Sequence, residues 1–113
     1  MFTTRPELVG TFGVVTTTHW LGSAVGMSVL EKGGNAFDAA VSTGFTLQIV
    51  EPHLNGPGGD MPAIFKAVGD TTPKALCGQG PIPQAATIEH FKKKLGLDLI
   101  PGSGLLCAVV PGA

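Results

Sequence analysis

The sequence predicts a mixed α/β (α+β) architecture, present as a single incomplete domain over residues 1–113. Three observations carry that expectation. Helix-period segments alternate with β-branched runs along the chain. One helical segment has almost no charged face. The chain is also short of charge: 13% of its residues are Asp, Glu, Lys or Arg and 43% are hydrophobic, with a mean hydropathy of +0.33. Ordinary soluble domains carry roughly 25% charged residues. A small domain has much surface for its volume and needs polar side chains to cover it. The shortage implies that part of this surface faces other protein, either a partner or the rest of a longer chain.

The elements follow in order. Residues 1–11 are polar and carry Pro6, which suggests an extended lead-in. "FGVVTTT", 12–18, is β-branched and fits a short strand. His19 and Trp20 open a first helix, in which Leu21, Val25 and Val29 recur every fourth residue. Gly22, Ser23, Ala24, Gly26 and Ser28 are small and predict close packing against another backbone. Gly33-Gly34 supply a left-handed cap. Asn35 then serves as N-cap of a second helix, with Asp38 three residues on, where a first-turn carboxylate suits the helix dipole. "AFDAAVSTGFTLQIV" is apolar or small nearly all round, so that helix is expected to be buried. Pro52 stops it.

"EPHLNGPGGD", 51–60, is a glycine-rich loop that feeds "MPAIFKAV", a strand candidate. "GDTTP" reads as a turn and "KALCGQG", 74–80, as the returning strand of a hairpin. "PIPQAAT" leads to a third helix, with Ile88, Phe91 and Leu95 as its buried stripe and Glu89 and Lys93 paired outside. "LLCAVV" reads as a buried strand. A strand running into "PGA" is expected in an architecture that continues. No internal repeat is visible.

Several classes of function are disfavoured. The net charge is −1 and the one basic run, Lys92-Lys93-Lys94, fits a solvated helix face, so no nucleic-acid partner is expected. No segment has the roughly 18–20 apolar residues that span a membrane, and "MFTTRPELVG" lacks the apolar core of a signal peptide. The expected location is cytoplasmic, or periplasmic or extracellular if an upstream segment precedes this one. Cys77 and Cys107 match no metal spacing and sit in apolar or glycine-rich surroundings, which favours buried free thiols over a disulfide. His19, His53 and His90 have no partners at metal spacing, so no metal is expected. "NGPGGD" lacks the Lys-Ser/Thr of a phosphate-binding loop. It also follows a helix and precedes a strand, the reverse of a dinucleotide fingerprint. Glycines for a closely packed turn are the better account.

The order of the pieces is more specific than any one of them. "GVVTTTHWLGSAVGMSVLEKGGNAFDAAVSTGFTLQIVEPHLNGPGGD", followed by "CGQGPIPQAAT" and "AVVPGA", resembles the opening of the γ-glutamyltransferase (γ-glutamyltranspeptidase) family. The resemblance covers about residues 10–113 and is strongest where "GGNAFDAAV" joins "EPHLNGPGGD". It implies the N-terminal portion of the large subunit of an N-terminal-nucleophile (Ntn) hydrolase, part of a four-layer αββα sandwich. Such enzymes cut their own precursor, and the new N-terminal Thr of the small subunit attacks a γ-glutamyl amide such as glutathione. Water or an amino acid then takes the acyl group. No cofactor is implied. The partners implied are the remainder of the precursor and a small-molecule amide.

That nucleophile lies beyond residue 113 in the family, so the resemblance implies no catalytic residue within this chain. It does imply one substrate-binding position. Aligning on "PQAAT" puts Gln79 where typical members hold the glutamyl α-carboxylate with an arginine. Gln is a neutral donor and makes no bidentate charged pair. Arg5, the only arginine, is remote in sequence. Two alternatives therefore stay open: a related amide or cephalosporin-type acylase, and a non-catalytic truncated homologue that binds or self-associates.

Overall fold

The computed structural model describes residues 7–112. Arg5 lies outside them, as does the start of the expected lead-in. The chain divides at Gly56/Pro57 into two compact units.

The first unit is a helical hairpin. Helix α1 spans Trp20–Glu31 and helix α2 spans Ala36–Val50. The junction between them follows from local chemistry. Lys32 is the C-cap of α1, and Gly33 takes φ +92°, a conformation that favours glycine. The Gly33 amide donates to Leu30 O at 3.0 Å and the Gly34 amide to Val29 O at 2.9 Å. That pair of bonds is the Schellman arrangement, and it satisfies two carbonyls left over at the helix end. One residue later Asn35 caps α2. Its Oδ1 accepts from the amides of Phe37 and Asp38, while Asp38 Oδ2 accepts from the Asn35 amide at 2.9 Å. The reciprocal box is stronger than the dipole effect expected from Asp38 alone.

Small residues bring the two helices together, as the sequence predicted. Gly22 and Gly26 are the buried residues of α1, and Ala39 and Thr43 those of α2. Thr43 Oγ1 donates to Gly22 O at 3.3 Å across the contact. The rest of α2 departs from the expectation of burial. Phe37, Val41, Phe45 and Ile49 recur every fourth residue and stay exposed, Ile49 by 79%. An apolar helix with this stripe unburied presents a face suited to further protein.

Residues 12–18 do not form the expected strand. A strand needs a neighbouring backbone to bond with, and none is supplied among the described residues. The segment keeps a period of two nonetheless: Gly13, Val15 and Thr17 are half-buried, while Phe12, Val14, Thr16 and Thr18 are exposed.

In the second unit, β1 (Met61–Phe65) pairs antiparallel with β2 (Lys74–Gly78), Met61 opposite Gly78 and Phe65 opposite Lys74. Two helices and a hairpin bear out the α+β expectation. Asp70 organises the connection. Its Oδ2 accepts from the Ala67 amide at 3.1 Å, and its Oδ1 lies 3.0 Å from Lys74 Nζ.

The third helix is shorter than expected and distorted. His90–Lys94 forms one π-helical turn, with Lys93 paired to Glu89 at 3.0 Å. Phe91 is buried, but Ile88 is 78% exposed and Leu95 40%, so the expected stripe reduces to one residue. A helical segment of barely more than a turn repays little of its nucleation cost. "LLCAVV" is not a strand either: Leu105–Cys107 is a 3-10 turn and the residues beyond it are irregular. Both cysteines are free and exposed, against the expectation of burial: Cys77 lies on a strand with no buried residue and Cys107 in a 3-10 turn with none. No helix among the described residues is long and apolar enough to cross a membrane.

Candidate functional site

Gln79 follows directly on the last residue of β2. The antiparallel register fixes the backbone up to Gly78, and the side chain of Gln79 is exposed just beyond it. Its Oε1 accepts from Cys77 Sγ at 3.6 Å. Among the described residues its Nε2 donates to nothing, so two N–H donors face outward.

The β1–β2 register holds the backbone before Gln79, and a bond at Pro81 holds it after. The Val110 amide donates to Pro81 O at 3.0 Å, and the Gly112 amide donates to Gly58 O at 3.2 Å. The glycine loop thereby meets the chain end near the hairpin. Gly58 sits at φ +80°, and a Cβ there would lie 2.9 Å from Pro111 Cβ. That accounts for one of the loop's glycines by close approach, as the sequence implied. Gly56 has open space around it.

A second polar cluster belongs to the first unit. Thr17 Oγ1 donates to His19 O at 2.6 Å and shares a 2.7 Å hydrogen bond with Ser23 Oγ. His19 is the N-cap of α1, and its Nδ1 accepts from the Leu21 amide at 3.2 Å. Thr18 Oγ1 donates to Glu51 Oε2. Glu51 is itself the C-cap of α2, and its carbonyl accepts from the amides of Leu54 and Asn55 at 3.0 and 3.1 Å. Glu51 therefore holds the start of the glycine loop and ties it to the residue before the His19 cap.

Sequence reasoning missed His19 as a cap and Thr18 as the partner of Glu51. The first had a signal, a His immediately before a helical run. The second had none, since the two residues lie 33 apart. His53 is exposed in the turn after Glu51, and His90 is half-buried with its ring edge-on to Phe91. Neither joins the other cluster residues. Among the described residues, no three His, Cys, Asp or Glu side chains group as metal ligands.

Comparison with known proteins places this geometry. The family model described as gamma-glutamyltranspeptidase matches residues 22–113. The glutathione hydrolase-like YwrD proenzyme of Bacillus subtilis is 37% identical over 107 residues, which are 94% of this chain and 20% of that relative. The chain thus spans about one fifth of the length of that relative. Among solved structures, LmbA2991T421A is 58% identical with a TM-score of 0.87, covering 100% of this chain and 19% of that one. The gamma-glutamyltranspeptidase of Helicobacter pylori is 36% identical with a TM-score of 0.79, covering 95% of this chain and 31% of that one. The last likeness bears out the expected portion of an Ntn-hydrolase fold. The junction at Gly33–Asn35, the loop held by Glu51 and the hairpin that ends at Gly78 all lie within residues 22–113, and the chain belongs to the gamma-glutamyltranspeptidase family.

Proposed function

We propose that this chain contributes the N-terminal part of the large subunit of a self-processing amide hydrolase, and that it works with the remainder of its precursor. The observation that carries this reading is the unburied stripe Phe37, Val41, Phe45 and Ile49 on a helix of a chain that spans a fifth of a proenzyme relative. Burying a side chain of that size stabilises by roughly 1.5–3 kcal/mol, so Val41, Phe45 and Ile49 alone offer a large exposed apolar surface. In the reading proposed, a Thr at the start of the small subunit attacks the amide carbonyl and expels the amine. Water or an amino acid then accepts the acyl group. This chain supplies a wall of the site, not the nucleophile. The test is to purify the protein from the intact gene. Two chains, the smaller beginning with Thr, and release of p-nitroaniline from γ-glutamyl-p-nitroanilide are expected. A single uncleaved chain with no amidase activity overturns the reading.

A second reading of the substrate is favoured by Gln79. Its Nε2 can donate to a carboxylate or a carbonyl, but it brings no positive charge. A donor with a neutral acyl group, as for a related amide or cephalosporin-type acylase, suits that side chain better than a free α-carboxylate. Replacing Gln79 by Arg in the intact protein separates the two. Under the acylase reading, Gln79→Arg lowers turnover of neutral acyl amides and raises turnover of the γ-glutamyl anilide. No change in either ratio removes Gln79 from the substrate site.

A further inference from the structure

We propose that Asn55 is a site of spontaneous modification: its side chain deamidates through a cyclic imide closed by the Gly56 amide, leaving aspartate or isoaspartate at the start of the glycine loop. The proposal goes beyond the amide-hydrolase reading and does not rest on it. The sequence sets the two residues side by side in "LNGPGG", and the structure leaves both able to react.

Ring closure needs a nucleophile that is not engaged, an electrophile that can turn toward it, and room. The nucleophile is the backbone nitrogen of Gly56. Among the described residues it donates to no acceptor, whereas the amides of Leu54 and Asn55 just before it both bond to Glu51 O. Gly56 is exposed, and a Cβ built on it would meet nothing within 4 Å. No side chain shields its nitrogen, and glycine reaches backbone conformations closed to other residues. The electrophile is Cγ of Asn55. Its Nδ2 donates to Glu51 O at 3.5 Å, the outer limit of a hydrogen bond. That carbonyl already accepts from two amides at 3.0 and 3.1 Å, so the side chain is a third and distant donor that turns away at little cost. Residues 55 and 56 lie outside helix and strand, so no ladder of bonds resists the motion.

Asn35, the chain's other asparagine, is the internal contrast. Its Oδ1 accepts from the amides of Phe37 and Asp38 at 2.8 and 3.1 Å, and the next residue, Ala36, carries a Cβ and begins α2. Cyclisation there would break the capping box.

The chemistry balances with water as the co-reactant. Gly56 N loses its proton and bonds to Asn55 Cγ. The Cγ–Nδ2 bond breaks, and the side-chain nitrogen leaves with a proton as ammonia. Water then opens the imide. Breaking the bond from Gly56 N to Cγ restores the ordinary backbone and gives aspartate. Breaking the bond from Gly56 N to the main-chain carbonyl carbon gives isoaspartate, whose backbone runs through Cβ and Cγ and is longer by a methylene. Either product replaces the amide donor beside Glu51 O with a carboxylate, which only accepts.

The test holds the intact protein in mildly alkaline buffer, which ionises more of the attacking amide. Samples are digested under mildly acidic conditions, so that the digestion adds no conversion, and peptides are mapped over time by chromatography and mass spectrometry. Asn55 is expected to convert at least about 10-fold faster than Asn35, a barrier difference of about 1.4 kcal/mol, with isoaspartate among the products. Gly56→Ala, which the open space at Gly56 accommodates, should slow conversion of Asn55 by about 10-fold and leave Asn35 unchanged. An Asn55 that stays an amide as long as Asn35 does overturns the proposal. So does conversion to aspartate with no isoaspartate, which is direct hydrolysis. An undiminished rate in Gly56→Ala removes Gly56 as the attacking partner and overturns it as well.

Discussion

Replacing Gly26 by Ala probes the contact that sets the helical hairpin. A Cβ built at Gly26 collides with Thr43 Oγ1 and comes within 2.8 Å of Val15 Cγ1. Both neighbours are packed, and Thr43 is buried with its hydroxyl committed to Gly22 O. Three effects compete. Ala favours a helix interior over Gly by about 1 kcal/mol. Overpacking costs roughly 1–3 kcal/mol. Moving Thr43 aside forfeits a hydrogen bond of about 1 kcal/mol. The net expectation is a loss of roughly 1–3 kcal/mol, read from the urea midpoint of the intact protein. The cause is separable by a double-mutant cycle. Thr43→Ala removes the clashing hydroxyl, so adding Gly26→Ala to it should cost at least about 0.5 kcal/mol less than adding it to wild type. Gly26→Ala that stabilises, or costs that simply add, would refute the idea that Gly26 is required by close approach to Thr43.

Other expectations follow from single contacts. Asn35→Ala removes an acceptor for two amides and should cost about 1 kcal/mol of stability, with Asn35→Asp largely restoring it, as read by thermal unfolding. Glu51→Ala should raise exchange at Leu54 and Asn55, whereas Glu51→Gln keeps an acceptor for Thr18 and should do so less; equal effects would argue against the side-chain tie. A Cβ at Gly80 would overlap the carbonyl of Val110, a rigid neighbour, so Gly80→Ala should reduce the yield of folded protein far more than Gly102→Ala, where space is open.

How far the sequence reveals this structure depends on where each element finds its partner. Gly33, Gly34, Asn35 and Asp38 lie within six residues, and their bonds close locally, so both caps were legible from residue type and spacing alone. The hairpin was legible for the same reason: its strands are joined by residues 66–73, where Asp70 bonds to Ala67 and to Lys74 at the start of β2. Residues 12–18 and "LLCAVV" have strand composition, but composition records what a segment can do beside a neighbour and not whether one is present. The alternating burial at 13, 15 and 17 shows the first segment already laid out for pairing.

The candidate site divides along the same line. Gln79 was singled out as a candidate by its place in an ordered motif, and it lies exposed just beyond β2. Its surroundings were not legible, because the bonds from Val110 to Pro81 and from Gly112 to Gly58 join segments distant in sequence. The first of these bonds matters for the substrate role proposed above. An exposed Gln on a free strand end would lose side-chain entropy on binding and gain little in return. Here the β1–β2 register up to Gly78 and the Val110–Pro81 bond hold the backbone on either side of Gln79. In the acylase reading proposed above, a backbone held in this way lets the Gln79 side chain present its donor from a fixed point.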